Sequence, residues 1–124
     1  MIRGEVNRNT EAVIRIEVFG PSSLLRKVDA VVDTGFSDYL SLPIEIVTFL
    51  GLPFRETETY ALADDTDVDL DVYACTVSWD GRRRRAFAVA ADGGVLIGMS
   101  LVRGHRLTID VVDGGPVTIE SLQV

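Results

Sequence analysis

Short runs of alternating apolar and polar residues, separated by glycine-containing turns, follow one another along almost the whole chain. In residues 11–19, for example, the apolar residues that share one parity are Ala12, Ile14, Ile16 and Val18. A period of two places alternate side chains on opposite faces of a β-strand. No predicted helix exceeds about eight residues. The pattern therefore predicts an all-β fold, either a sandwich or a closed barrel of short strands.

The same pattern gives the expected order of elements. Residues 2–6 are predicted as an edge strand or a mobile end, and further strands are expected at 11–19, 24–33, 39–42, 54–63, 68–79, 82–91, 95–97, 106–112 and 116–122. One short helix is expected at 44–50, with Pro43 in its first turn and Gly51 as its C-terminal cap. A second helical turn is expected at 99–103, and Asp80-Gly81 predicts a two-residue hairpin turn. Nothing has the composition of a linker, so residues 1–124 are expected to form one domain.

The stretch from Val28 to Ser37 is the part of the chain that most requires a functional explanation. A hydrophobic run with strand character ends abruptly in Asp33-Thr34-Gly35, where Gly35 allows the backbone to turn sharply. We therefore expect a carboxylate at the tip of a buried strand, near backbone N–H groups of the loop. A buried carboxylate is costly unless it is hydrogen-bonded or neutralised. The alternative is an Asp that only caps its own turn.

Composition excludes several classes of function. A formal net charge of -7 argues against a nucleic-acid-binding protein, which normally has a basic face. The single cysteine, Cys75, cannot form an intramolecular disulfide, and no leader peptide or membrane span is evident, so a cytoplasmic protein is expected. The sequence contains no metal-ligand cluster, P-loop or dinucleotide fingerprint, so neither a metal nor another cofactor is expected.

Two motifs together resemble a known family. Val31-Val32-Asp33-Thr34-Gly35 resembles the active-site signature of aspartic peptidases, and Leu96-Ile97-Gly98 resembles their second, hydrophobic-hydrophobic-glycine element. The spacing is similar to that of retroviral peptidases, and Phe36 after the glycine is similar to a prokaryotic subgroup with Asp-Thr-Gly-Phe. The resemblance covers the whole chain. It implies a closed retropepsin-like β-barrel with a flap hairpin and one or two short helices.

The resemblance also implies a role for individual residues. Asp33 would be catalytic, Thr34 would orient the loop by hydrogen bonds across a dimer axis, and Gly35 would place a backbone N–H near the carboxylates. Supporting positions would be Phe36, Ser37, Leu96, Ile97 and Gly98, with the glycine allowing close approach of the backbone. The flap would be the hairpin from Tyr60 to Tyr73, whose tip residues nearest the substrate are Ala63, Asp64, Asp65 and Thr66.

The number of Asp-Thr-Gly motifs predicts the quaternary structure. Aspartic peptidases need two carboxylates about 3 Å apart that share one proton. This chain has one such motif: Asp92-Gly93 and Asp113-Gly114 lack the hydroxyl residue, and Asp65-Thr66 is followed by another aspartate. We therefore expect a homodimeric aspartic endopeptidase that acts on a peptide or protein substrate. The alternative is a homodimeric module on the same fold that binds a peptide without cutting it.

Two departures from the retroviral pattern keep that alternative open. The acidic hairpin tip lacks the glycines that make retroviral flaps supple, and Asp38 adds a second negative charge close to the dyad. We expect Asp38 to point outward or to pair with an arginine.

Phe36 stands where pepsin-like enzymes have a hydroxyl residue. In those enzymes the hydroxyl donates to the carboxylate and favours its ionised form. A pH optimum less acidic than that of pepsin is therefore expected.

The remaining charged and reactive residues favour structural roles. The acidic hairpin is expected to be a solvated edge, although it could attract basic substrate segments. Its spacing partly resembles a calcium-binding loop that starts at Asp65. Leu70, however, stands where such a loop needs glycine and Thr76 where it needs glutamate, so calcium binding is not expected. Residues 82–85 are four arginines, too few for a nucleic-acid site, and are expected to be solvated or paired with aspartates. Cys75 is expected to be a small buried hydrophobe and His105 to cap or pack at a helix end.

Overall fold

The computed structural model describes residues 1–123 as ten β-strands and two short helices. The strands are β1 (Ile2–Val6), β2 (Ala12–Phe19), β3 (Leu25–Val32), β4 (Leu40–Leu42), β5 (Phe54–Ala61), β6 (Asp67–Trp79), β7 (Arg82–Ala90), β8 (Val95–Ile97), β9 (His105–Ile109) and β10 (Pro116–Ser121). The helices are α1 (Ile44–Leu50) and α2 (Met99–Val102). Within residues 1–123, no helix is long and apolar enough to cross a membrane.

The strands close into a barrel. The sheet order is β5-β6-β7-β4-β8-β3-β2-β1-β10-β9, and an additional pairing of β6 with β2, at Val18↔Val77 and Phe19↔Thr76, joins the ends of a six-strand circuit. Strands β1, β10 and β9 continue the sheet from the other half of β2, whereas β5 lies outside β6. The prediction of an all-β, closed barrel is confirmed.

Alternation along the strands fills the interior of the barrel. On β2 the side chains of Ile14, Ile16 and Val18 are buried, as the period of two predicted, and Arg15 on the other parity is exposed. Burial of each such aliphatic side chain contributes about 1.5–3 kcal/mol. The other large side chains that are almost fully buried are Leu40, Leu42, Leu50, Ile97, Leu101, Ile119, Val77 and Val117. One continuous core therefore joins the barrel to both helices and to β10.

The strand order brings together two motifs that are distant in sequence. Strands β3 and β8 are parallel, with Val32 opposite Ile97, so the residues that follow them leave from the same end of the pair. Strand β4 is antiparallel to β8 and parallel to β7. Asp33 and Gly98, which each come directly after one of these parallel strands, therefore lie side by side.

Local turn chemistry matches the sequence, with one correction at α1. Asp80 and Gly81 have φ angles of 53° and 78°, as a two-residue hairpin with two left-handed residues requires. Gly51 (φ 63°) caps α1. Pro43, however, is extended with ψ 149° and precedes the helix instead of forming its first turn, so that prediction was wrong. Its fixed φ is compatible with either position, and the end of β4 keeps it extended.

Candidate active site

Asp33 lies at the end of β3 in a turn held by backbone hydrogen bonds. Its N–H donates to the Ile97 carbonyl (2.8 Å), and its own carbonyl accepts from Phe36 N–H (3.1 Å). The Gly35 N–H donates to the carboxylate at Oδ1 (2.9 Å). Asp33 is half-buried and Thr34 is exposed, so in a single chain the carboxylate reaches the surface and is less buried than the sequence led us to expect.

The Gly35 contact alone would also fit an aspartate that caps its own turn, so the surroundings of the motif matter. Gly98 lies directly behind the loop, and its N–H donates to the Tyr39 carbonyl (2.9 Å). A Cβ atom at Gly98 would lie 1.9 Å from the Asp38 carbonyl oxygen and 2.8 Å from Cδ2 of Phe36. Only glycine fits this position, since real Cβ atoms do not approach backbone that closely. The structure thus brings the Asp-Thr-Gly and Ile-Gly elements into direct contact.

The start of α2 fixes the loop that follows Gly35. Its donors are two backbone N–H groups and one hydroxyl: Met99 N–H to Phe36 O (2.8 Å), Ser100 N–H to Asp38 O (3.3 Å) and Ser100 Oγ to Ser37 O (2.5 Å). Three successive carbonyls of residues 36–38 are therefore satisfied by one short helix. Phe36 and Ser37 therefore help to hold the loop through their backbone carbonyls.

Arg84 supports α2 from behind and was not identified from the sequence. Its guanidinium donates to the carbonyls of Leu101 (2.7 Å) and Ser100 (3.4 Å), and it lies over the Tyr39 ring at 5.9 Å. Cations at the carbonyl end of a helix are favourable. The expectation that the arginine run is solvated or paired with aspartates was wrong for Arg84, because backbone carbonyls leave no sequence signal as partners. Neighbouring Arg83 stacks over the Phe19 ring at 4.3 Å.

The β5–β6 hairpin turns at residues 62–66, so the four tip residues singled out from the sequence, Ala63, Asp64, Asp65 and Thr66, all lie in this exposed turn. Asp64 Oδ1 accepts from both the backbone N–H (3.1 Å) and the hydroxyl (2.5 Å) of Thr66. These two hydrogen bonds lower the pKa of Asp64. Asp65 adopts a left-handed conformation with φ 65°. The tip is therefore closed by its own side chains without a glycine.

Asp38 connects the loop of the Asp-Thr-Gly motif to this hairpin. The carboxylate is half-buried, and Oδ2 accepts a hydrogen bond from the Tyr60 hydroxyl (2.7 Å). The expectation that Asp38 points outward or pairs with an arginine was wrong, because β5 brings a phenol within reach. A cavity of about 170 Å³ lies beside this contact, between Asp38, Tyr60, Val72 and Phe87.

A separate cleft of about 380 Å³ opens beside Asp33 and Thr34. Its lining includes Asp33, Thr34, Leu96, Ile109 and Val111. Val111 is 63% exposed and its neighbour Val112 is 65% exposed. The candidate catalytic carboxylate is thus bordered by apolar side chains that are open to solvent in a single chain.

Cys75 and His105 have structural roles, as predicted. Burial raises the pKa of the Cys75 thiol to about 12, which suppresses the reactive thiolate. His105 packs edge-on against Trp79, accepts from its indole N–H at Nε2 (3.2 Å) and places Nδ1 3.0 Å from the Arg103 carbonyl. Within residues 1–123, no group of three or more His, Cys, Asp or Glu side chains is arranged to hold a metal ion.

Comparisons with known proteins bear on this arrangement. No protein-family model and no curated protein matches the chain. Among solved structures, a retropepsin-like aspartic protease from Rickettsia conorii is similar with a TM-score of 0.58 and 23% identity, over 97% of this chain and 89% of that one. The protease of simian foamy virus (mac) matches with a TM-score of 0.50 and 21% identity, over 71% and 90% of the two chains.

A further retroviral structure gives the same result. The EIAV protease in complex with the inhibitor HBY-793 matches with a TM-score of 0.58 and 13% identity, over 78% of this chain and 89% of that one. Structural matches at identities this low establish the fold alone. The rickettsial match is consistent with the prokaryotic subgroup that Phe36 suggested. The barrel, with its Asp33 loop seated against Gly98, is a retropepsin-like fold.

Proposed function

We propose that the protein is a homodimeric aspartic endopeptidase, in which a water molecule is activated between two Asp33 carboxylates, one from each subunit. The observation that carries the proposal is the position of Asp33. It follows β3 directly, beside the end of the parallel strand β8. Its carboxylate accepts the Gly35 N–H, and Gly98 packs closely against its loop. An aspartate that merely capped a turn would not need this second element behind it.

The site is complete only when two chains combine. One carboxylate cannot serve as acid and base at once, and the sequence holds a single Asp-Thr-Gly. Asp33 is accessible and lines a cleft together with the exposed Val111, whose chain neighbour Val112 is also exposed. A two-fold axis beside Asp33 would place the same patch on both sides of the interface, bury these valines and bring the second carboxylate to the first.

The proposed mechanism follows from the two protonation states of such a pair. The ionised Asp33 of one subunit takes a proton from the bridging water, whose oxygen attacks the peptide carbonyl carbon. The protonated Asp33 of the other subunit polarises the carbonyl oxygen, and a proton then passes to the leaving nitrogen as the C–N bond breaks. Gly35 N–H orients the carboxylate, and Thr34 is the residue proposed to bond across the axis. No covalent intermediate is formed.

The β5–β6 hairpin is proposed as the flap over this site. Its exposed tip, residues 63–66, would close on a bound peptide and exclude water from the reacting groups. The clustered negative charges on the hairpin would favour peptides with lysine or arginine. The alternative function, peptide binding without cleavage, draws support from the tip closed by Asp64 and Thr66, which is less supple than a glycine-rich turn.

The direct test of the proposal is incubation with a mixed peptide library between about pH 3 and pH 8, beside the Asp33→Asn variant. The proposal expects cleavage by the wild type alone. Equal cleavage by both proteins would remove Asp33 from the mechanism. Peptide retention by both proteins with cleavage by neither would favour the binding module.

A charge placed in the apolar patch is expected to break the dimer. Val111→Asp should weaken dimerisation about 100-fold, because an unpaired carboxylate would have to be buried at a cost of several kcal/mol. Sedimentation velocity at several concentrations measures this change. Leu24→Asp is the matched control, since Leu24 is 44% exposed and precedes β3 at the end opposite Asp33. Equal effects of the two substitutions would place the interface elsewhere.

A hydroxyl after Gly35 is expected to make the pH optimum more acidic. In Phe36→Ser the new hydroxyl can donate to the Asp33 carboxylate and favour its ionised form, so the optimum should fall by about one pH unit. Phe36→Leu is the control for the lost aromatic ring, because it brings no donor. The measurement is the pH dependence of kcat/KM for the three proteins. Identical profiles, or a wild-type optimum near pH 3, would refute the role given to position 36.

A further inference from the structure

The Tyr60 hydroxyl lies between two carboxylates that belong to different parts of the fold. It is 2.7 Å from Asp38 Oδ2, in the loop that follows the active-site motif, and 2.9 Å from Glu58 Oε2, two residues earlier on its own strand. Residues two apart on a strand share a face, so Glu58 and Tyr60 both point toward the loop. The contact with Asp38 therefore links the hairpin to the loop that carries Asp33.

One phenol has one hydrogen and cannot donate to both carboxylates at once. Burial and the two neighbouring carboxylates raise the pKa of Tyr60, so the phenol remains a donor throughout the working pH range. Donation to Asp38 ties β5 to the loop, whereas donation to Glu58 stays within β5. The two acceptors thus define a tied and an untied arrangement that differ by a rotation of one O–H bond.

The position of β5 makes this single hydrogen bond important. In the sheet β5 pairs with β6 and is the outermost strand on that side. The hydroxyls of Thr57 and Thr59, on its other face, donate to Asp71 and Asp69 of β6 and so stay within the hairpin. Tyr60, by contrast, reaches out of the hairpin to the active-site loop. Losing that contact would leave β5 held mainly by its pairing with β6.

The distances favour the tied arrangement. Asp38, which is nearer to the phenol, is the better-placed acceptor of the Tyr60 hydrogen.

We propose that Tyr60 is a positioning residue that latches the flap to the active-site loop, with Asp38 as the acceptor when the flap is closed and Glu58 when it is released. The inference rests on the proposed function, because the latch affects catalysis only if the hairpin covers a bound peptide. The latch itself is a property of the fold and can be measured without a substrate.

The test compares amide hydrogen exchange in β5 among four variants. Tyr60→Phe and Asp38→Ala, which remove the donor and the acceptor respectively, should each speed exchange of the β5 amides about tenfold, the effect of losing one hydrogen bond to a charged group. The double variant should match Tyr60→Phe alone, because both changes remove the same bond. Glu58→Gln should leave the exchange rate of the β5 amides unchanged or make it slower. The amides of β2 and β3 serve as an internal reference for global stability.

Tyr73→Phe is the matched control, since it removes a phenol hydroxyl from β6 of the same hairpin, where the ring packs edge-on against Phe54. The latch would be overturned if Tyr60→Phe left β5 exchange at the wild-type rate, or if the effects of Tyr60→Phe and Asp38→Ala added in the double variant. With a cleavable peptide, Tyr60→Phe should raise KM about tenfold at nearly constant kcat. Faster exchange in a protein that cleaves nothing would refute the peptidase proposal alone.

Discussion

Replacing Asp33 with Asn is expected to lower kcat about 10⁴-fold while leaving the fold intact. The amide can neither accept the proton of the attacking water nor return a proton to the leaving nitrogen, and removal of a general acid–base group typically costs 10²–10⁴-fold. Two such groups are lost at once, because both carboxylates of the proposed site are Asp33. Asn is nearly isosteric and can still accept the Gly35 N–H, which preserves the turn. The measurement is kcat for a peptide selected from the library, with the thermal unfolding midpoint as the check on folding.

Asp92→Asn is the matched control for this loss. Asp92 is also an aspartate in a glycine-containing turn, it is exposed, and it lies between β7 and β8 away from the motif. Its substitution makes the same change of charge and should leave kcat within about twofold of the wild type. An Asp33→Asn protein that retained wild-type kcat would show that this carboxylate takes no part in the chemistry.

Adding one methyl group at Gly98 is expected to destabilise the protein by at least about 3 kcal/mol. The Cβ of Gly98→Ala would lie 1.9 Å from the Asp38 carbonyl oxygen, so backbone and not a flexible side chain would have to move. For a chain of this size the unfolding midpoint should fall by about 10 °C. Displacement of the 36–38 loop should also reduce cleavage in the fraction that remains folded. Thermal unfolding and kcat/KM at a temperature well below the midpoint measure the two effects separately.

Gly94→Ala is the control for the Gly98 prediction. A Cβ at Gly94 would meet no atom within 4 Å, and the residue is not left-handed, so the change should be neutral or slightly stabilising. If Gly98→Ala proved as stable as Gly94→Ala, the tight contact between the two motifs would not exist in solution.

Local sequence patterns predicted the strands and turns because the information they carry is local, whereas the choice of a closed barrel over a sandwich came from the family resemblance. The period of two on β2, the Asp80-Gly81 turn and the glycine after α1 each determine conformation within a few residues. The adjacency of Asp33 and Gly98 came instead from a resemblance, since nothing in either motif alone requires the parallel pairing of β3 with β8. The conformation of Pro43 was missed because the proline ring fits either side of a helix start.

Long-range side-chain partners in the candidate site were beyond sequence reasoning. Asp38 accepts from a tyrosine 22 positions away, and Arg84 donates to backbone carbonyls, which every residue carries. Both pairs exist because the closed barrel brings β5 and α2 against the same loop. The sequence indicates that Asp38 places a charge near the motif. Which group donates a hydrogen bond to that charge depends on which strand packs beside the loop.

The most direct test of the two-subunit site is a mixing experiment with a fixed amount of wild-type protein and increasing amounts of Asp33→Asn. Subunits that exchange freely form mixed dimers with one carboxylate, which lack either the acid or the base. Activity per wild-type subunit is expected to fall to about one half at equal amounts and to continue falling toward zero in excess. Activity that stays constant at every ratio, under conditions where sedimentation shows mixed dimers, would contradict an active site shared between two Asp33 residues.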